Sequence, residues 1–446
     1  MTSLSHTDTD LSLGDIDRNL AEVHDDEQVT PGEIAAGVII GRTSEYFDFF
    51  VFGIACVLVF PYAYFPFLSN LEGMLASFAI FALAFIARPI GTAISMAVQA
   101  RWGMAVKLTI ALFLLGSATV GIALLPRYES IGVAAIWWLM ALRVAQGLAV
   151  GGSWDGLPSL LAMNAPAEKR GWYSMIGQLG APIGFIVAAS VFAYIYSQLT
   201  HEEFVDWGWR YPFCVAFAIN VVALFARLRL VADTAYTNMF KNLELAPGRP
   251  LEMTYSGEGH YIFLGALAAL ASFALFHLVT VFPLSWMILY SDEPVISILW
   301  TQLIGAFLAG CAIVLSGWMA DRFGRRNTLG GMAILIALFS LATPMLLNGG
   351  SGGQKAFILI GFILLGLSYG QASGTVTANF SRKYRYVGAA YSADLAWLLG
   401  AAFAPLAALW LSSHFGAIAV GGYLLSGAVC TLIALAINRS LEASRK

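Results

Sequence analysis

An all-α membrane protein with twelve transmembrane helices, arranged as two pseudo-symmetric six-helix bundles, is the fold class this chain predicts. Three observations predict it. Of 446 residues, 59% are hydrophobic and 11% charged, with a mean hydropathy of +0.75, whereas soluble domains carry roughly 25% charged residues. Apolar stretches of bilayer-spanning length recur along the chain. Landmarks in the first six stretches return, in the same order, in the second six.

A hydrocarbon core takes about 20 apolar residues per helix. By that measure spans fall near 34–60, 72–97, 105–125, 133–160, 172–196 and 210–230, then near 260–288, 297–318, 328–347, 355–377, 388–410 and 415–437. Residues 1–32 are polar and acidic, from Asp8 and Asp10 to Asp25, Asp26 and Glu27. They lack the basic start and short apolar core of a secretory signal, so a disordered cytoplasmic tail is expected. The chain then divides into an N-terminal bundle over 33–230, a connector over 231–258, a C-terminal bundle over 259–438 and a tail over 439–446.

Lysine and arginine set the orientation. One set of loops holds Arg101, Lys107, Lys169, Arg170, Arg227, Arg229, Lys241, Arg249, Arg322, Arg325, Arg326, Arg382, Lys383, Arg385, Arg439, Arg445 and Lys446. The opposite loops hold Arg127, Arg210 and Lys355. The positive-inside rule places both chain ends and the connector in the cytoplasm, as in a multi-pass protein of a bacterial inner membrane.

The repeat is visible in three places. Arg101 and Gly103 match Arg322 and Gly324 at an offset of 221, Gly147 and Gly151 match Gly366 and Gly370 at 219, and Gly171 matches Gly388 at 217. Two parallel halves imply a central site between them, opened alternately to either side by rocking.

Charges inside apolar spans are costly and normally face a cavity or pathway. Glu45 and Asp48 lie three apart on one helix face. Nearby carboxylates of this kind suit proton loading, unless one of them pairs with Arg42 or Arg143. Arg143 is a candidate to hold a substrate carboxylate or to tune Glu45 or Asp48; a permanent ion pair between helices is the alternative. Asp155 follows Trp154 near Pro158, as a site residue or a helix-end cap. Asp394 stands in an otherwise apolar span, as a gate, a coupling acid or a brace. His277 lies midway along the seventh span, as a proton relay or a neutral interhelical bond. Gln146, Gln178, Gln302 and Gln371 offer uncharged contacts.

Between the eighth and ninth spans, Asp321, Arg322, Gly324, Arg325 and Arg326 form a charged turn. Glycine permits the turn, and the acid can accept bonds from an arginine or a helix N-terminus across the halves, as a cytoplasmic gate. The first-half copy keeps Arg101 and Gly103 but has Ala100 and Met104, so its latch is expected to be weaker. Gly147, Gly151, Gly152 and Gly156 read as close helix packing. Trp154, Trp172, Trp207, Trp209 and Trp397 read as interface or packing aromatics rather than a substrate cage.

With these motifs in place, the chain resembles the major facilitator superfamily, and within it the metabolite:proton symporters that carry organic acids, shikimate, proline or betaine. The likeness rests on Glu45 to Asp48, Ala87-Arg88-Pro89 with Gly91, Arg143 with Gln146, Gly147, Gly151 and Gly152, and Arg170-Gly171 with Tyr173. It continues through Gln178, Gly180, Pro182 and Gly184, then Trp207 with Arg210 and Pro212, Asp321 to Arg326, and Arg385 with Gly388. The family carries an acid at Ala100, an arginine at Met104 and a glutamate at Ser153. It also carries an acid near Ala378 and Asn379, and an amide at Asp394. Asp155 cannot replace that glutamate, because two residues rotate a helical side chain by about 200°.

The resemblance implies a secondary transporter moving an organic acid or zwitterion by proton symport through alternating access. A proton-independent facilitator or exchanger, and a carrier-derived membrane sensor without transport, remain open. No phosphate-binding loop, nucleophile–base set or metal spacing occurs, so neither an ATP-driven pump nor an enzyme is expected. No cofactor is expected. The expected partners are a small-molecule substrate, protons and the lipid bilayer, with no nucleic acid, around a monomer. Cys56, Cys214, Cys311 and Cys430 are scattered singly and read as packing residues.

Overall fold

The computed structural model describes residues 31–153, 166–232, 257–372, 380 and 384–444, and among them no strand occurs. Twelve principal helices follow in order: α1 Pro31–Leu58, α2 Asn70–Trp102, α3 Met104–Leu124, α4 Val133–Gly152, α5 Gly180–Gln198 and α6 Arg210–Ala232. The second set is α7 Gly259–Thr280, α8 Val295–Phe323, α9 Arg325–Leu347, α10 Gly350–Ala372, α11 Arg385–Ala396 and α12 Ala417–Ser444. A break at Val281 before Pro283 separates α7 from its continuation Phe282–Tyr290. A π-helical turn, Trp397–Ala402, joins α11 to Ala404–Phe415.

Eleven helical segments among the described residues are long and apolar enough to cross a membrane. α1 makes the twelfth, although Arg42, Glu45 and Asp48 fall inside every stretch of 18 residues it contains. Its charge density is not a mark of exposure, because Glu45 and Asp48 are both buried.

Packing repeats with the sequence. In the first half α2 packs on α4, α1 on α5 and α3 on α6; in the second, α8 packs on α10, α7 on α11 and α9 on α12. The halves meet where α2 faces α11 and α5 faces α8. Each of these pairs becomes the other when six is added cyclically to the helix numbers, which is the two-fold relation expected of a duplicated carrier.

Glycine sets the tight contacts. A Cβ on Gly147 would lie 2.3 Å from Ala84 O, and one on Gly151 2.2 Å from Arg88 O, so α4 lies backbone to backbone on α2. The second half repeats this at Gly366, whose Cβ would lie 2.4 Å from Ala309 O on α8. The α2–α3 and α8–α9 turns are built on Gly103 and Gly324 at φ 89° and 83°, a backbone region that side chains resist.

Two basic residues read above as loop charges are in fact buried. Lys107, on α3, donates from Nζ to Gln99 Oε1 at 3.0 Å and to Tyr386 OH at 3.1 Å. Arg227, on α6, reaches Glu45. Both stand near helix ends, where hydropathy does not separate an inward cation from a solvated one.

Candidate functional site

Among the described residues the expected central chamber is filled. Rings fill the seam: Phe49 stacks on Trp397 at 6.2 Å, Phe85 on Trp397 at 5.7 Å and Phe50 on Phe276 at 5.7 Å. Tyr46 of α1 and Tyr369 of α10 share a hydroxyl–hydroxyl bond across the halves. A cavity with room of about 20 Å³ remains beside them, lined by Phe50, Phe185, Phe276, Phe362 and Tyr369. A depression of about 630 Å³ lies elsewhere, between Trp286, Glu293, Gln354 and Gly416 of the second half, away from the buried charges. Trp397, read above as packing, stands at the centre of the seam, and the π-helical turn begins at that residue.

Glu45 and Asp48 share a helix face but not an environment, so the expected coupled carboxylate pair is not formed. Glu45 Oε2 accepts from Arg42 Nη1 at 2.8 Å, and Oε1 accepts from Arg227 Nη2 at 2.8 Å and Ser153 Oγ at 2.7 Å. Two cations and a hydroxyl therefore hold one carboxylate. Gly41 makes room for this, since a Cβ there would lie 2.2 Å from Arg227 Nε. Ser153, marked above as a departure from glutamate, supplies a donor where a second acid would repel Glu45.

Asp48 is held by neutral donors. Its Oδ1 accepts from Thr119 Oγ1 at 2.8 Å and its Oδ2 from Asn220 Nδ2 at 2.5 Å. Ser44 Oγ in turn donates to Asn220 Oδ1.

Among the described residues Arg143 pairs directly with neither acid, so of its alternatives the permanent ion pair is not formed. Its Nη1 donates to Gln146 Oε1 at 2.9 Å, and Gln146 Nε2 donates to Thr119 Oγ1 at 2.9 Å, completing a relay to Asp48. Each member donates toward the carboxylate, so the bonds polarise one another in low dielectric. The guanidinium lies 4.0 Å from the Phe52 ring centroid, 4.8 Å from Phe81 and 5.0 Å from Phe49. Its Nη2 has no hydrogen-bond partner among the described residues.

His277 packs edge-on against Phe81 at 5.1 Å and Phe85 at 5.9 Å, reaching across the seam to α2. Its Nδ1 lies 3.3 Å from Thr280 Oγ1, while Nε2 is buried without a partner among the described residues. Asp394 also crosses the halves: Oδ1 lies 2.6 Å from Arg88 Nε, and Oδ2 accepts from Thr92 Oγ1 at 2.6 Å. Asp155 lies outside the described residues, as do Ala378 and Asn379.

At the end that carries the two glycine turns, Asp321 accepts from Gly171 N at 2.7 Å and Trp172 N at 3.2 Å, binding α8 to the start of the fifth span. Arg325 Nη2 donates to Arg170 O at 3.0 Å and to Ser174 Oγ at 2.5 Å. Arg322 and Arg101 are exposed, over Trp318 at 5.4 Å and Trp102 at 5.0 Å respectively. At the symmetry-related position, where Ala100 replaces an acid, Lys107 and Gln99 meet Tyr386 of α11 instead.

The sequence reading overlooked Arg88, Arg227, Asn220 and Thr119 as partners. Arg88 carried a signal, as a cation inside an apolar span before Pro89. Asn220 and Thr119 carried none, because single polar residues are common in membrane helices.

Buried charge networks, a ring-filled seam and twelve paired helices define a two-bundle carrier, closed around its ionisable centre. The chain belongs to the major facilitator superfamily, whose pattern it matches over residues 49–394. It is 35% identical over 423 residues to the inner membrane metabolite transport protein YhjE of Escherichia coli K12, covering 93% of this chain and 96% of that one. It is 29% identical to the shikimate transporter of the same organism, covering 92% and 95%. The solved proton:xylose symporter XylE, bound to 6-bromo-6-deoxy-D-glucose, superimposes with a TM-score of 0.68 over 91% of this chain and 94% of that one; at 19% identity it shows the shared fold. The chain is thus a metabolite transporter of that superfamily, similar to its metabolite and shikimate carriers.

Proposed function

We propose that this transporter moves a small polar metabolite, an organic acid or zwitterion, by proton symport through alternating access. The single observation carrying this reading is Arg143: a cation buried at the seam, tied to Asp48 through Gln146 and Thr119, with one guanidinium nitrogen lacking a partner among the described residues. A buried cation held this way has hydrogen-bonding capacity for a solute carboxylate, and desolvation makes that bond strong. Asp48 and His277 are the ionisable groups placed to take up a proton beside it. Glu45 with Arg227 braces α1 on α6. Arg88 with Asp394, and Asp321 with Gly171, hold the halves together and act as gates that part when the site opens.

The distribution of lysine and arginine supports an orientation with the Gly103 and Gly324 turns, and both termini, in the cytoplasm. Asp321 then closes the cytoplasmic face.

Purified protein in proteoliposomes with a trapped pH dye, offered labelled shikimate and other carboxylates, tests the proposal. Solute-dependent proton entry with accumulation against a gradient is the expected result. Uptake without proton movement would indicate a facilitator or exchanger, and binding without uptake a sensor; either outcome overturns symport.

A further inference from the structure

We infer that His277 Nε2 and Arg143 Nη2 together form a proton-dependent carboxylate site, selective for a small monocarboxylate with an otherwise uncharged body; this rests on the transport reading above. Both atoms are buried and unpartnered among the described residues, on side chains only about 1% exposed. Both side chains pack on the same ring: the Arg143 guanidinium lies 4.8 Å from the Phe81 centroid and His277 5.1 Å from it, edge-on. Leaving two such polar atoms without partners is costly, which makes a ligand the natural third member.

The tautomer follows from a neighbouring bond. Thr280 Oγ1 donates its single proton to Phe276 O at 2.8 Å. Facing His277 at 3.3 Å, that oxygen can then only accept, so Nδ1 carries the ring proton and Nε2 presents a bare lone pair. Neutral His277 therefore repels a carboxylate, whereas a proton on Nε2 turns it into a charged donor. One proton and one carboxylate then enter together and leave together, and the net charge of the closed site is unchanged.

The titratable groups around His277 agree with this division. α4 brings Arg143; α2 brings Arg88, which is paired with Asp394 of α11. α1 and α10 bring Tyr46 and Tyr369, bonded to each other, and α12 brings Tyr423, bonded to Gly400 O. Asp394 is engaged by Arg88 and Thr92, and Asp48 by Thr119 and Asn220.

Selection against zwitterions follows from the rings. A quaternary ammonium group binds by lying over aromatic faces. Here Phe49, Phe52 and Phe81 already face the Arg143 guanidinium, and Trp397 lies 5.8 Å from that of Arg88. A second cation would have to compete for faces that these guanidinium groups already occupy.

Isothermal titration of the full chain in detergent, in buffers of different ionisation enthalpy, counts protons taken up per bound ligand. Cyclohexanecarboxylate is expected to bind with about one proton, and glycine betaine at least about tenfold more weakly. His277→Gln and His277→Asn are expected to bind cyclohexanecarboxylate without proton uptake and about 10- to 100-fold more weakly, the scale of one charge-assisted bond. An unchanged proton count in either variant, no proton in the unaltered protein, or equal binding of glycine betaine overturns this site while leaving carboxylate transport standing. If neither variant folds, the proton count and the betaine comparison on the unaltered protein still decide. Absence of binding by every carboxylate offered overturns the site and, unless uptake is seen in proteoliposomes, the wider reading too.

Discussion

Arg88 Nε lies 2.6 Å from Asp394 Oδ1, and the two residues belong to opposite halves of the molecule. Both are buried, so the ion pair closes a charge that each half would otherwise leave open at the seam. Breaking one side of such a pair is expected to cost about 3–5 kcal/mol, because the remaining charge is left without compensation. Arg88→Met should therefore lower thermal stability in detergent markedly. The double change Arg88→Met with Asp394→Leu should recover much of that loss while transport stays impaired. A double variant as unstable as the single one would show that the pair is not the source of the effect.

Gly41 and Arg227 give a second expectation. A methyl group at Gly41 would lie 2.2 Å from Arg227 Nε, and Arg227 is held in place by Glu45 and Ser153 O. The side chain cannot swing away without uncoupling Glu45 from one of its cations. Gly41→Ala should destabilise the protein by about 1–3 kcal/mol, the usual cost of overpacking. A melting curve unchanged from that of the parent would contradict this packing.

The α2–α4 contact makes a sharper claim. Gly151→Ala places Cβ against Arg88 O, and backbone cannot rotate aside as a side chain does. The two helices must separate, and loss of folded protein on size exclusion is expected. Gly331→Ala serves as the control, since among the described residues a Cβ there would meet nothing within 4 Å beyond its own helix, and α9 continues through it undisturbed. Equal behaviour of the two variants would mean that the close approach carries no energetic weight.

Asymmetry between the two glycine-turn loops is also measurable. Asp321 accepts two backbone bonds from Gly171 and Trp172, whereas its counterpart position holds Ala100. Hydrogen bonds to a charged group contribute about 1.5–3 kcal/mol each. Asp321→Asn should shift the population toward an opening at this face, read as faster labelling of a seam cysteine in a background lacking the four native ones. Ala100→Asp should slow that labelling. Identical rates across all three proteins would separate the loop motif from gating.

The architecture was legible because it rests on coarse quantities. Hydropathy marks spans, and duplication shows in Gly103 and Gly324, which adopt the same positive φ. The buried charges were legible one at a time, since a charge in an apolar span is conspicuous wherever it points. Their partners were not. Glu45 and Asp48 are three residues apart, yet one faces α6 through Arg227 and the other reaches α3 and α6 through Thr119 and Asn220. Helical spacing gives the face a residue occupies but not which neighbour lies there. Arg227 and Lys107 show the same limit at span ends, where a few residues decide between water and the interior. The filled seam escaped the sequence as well, because aromatic residues that line a chamber and those that plug it have the same composition.

That plug has an electrical side. Tyr46, Phe49, Phe85, Phe276 and Trp397 touch ring to ring across the middle of the molecule, and stacked hydrocarbon supports no file of water along which hydronium could hop. A seam packed in this way offers ions no wet path between the rings, so the closed conformation would not by itself leak charge across the membrane it spans.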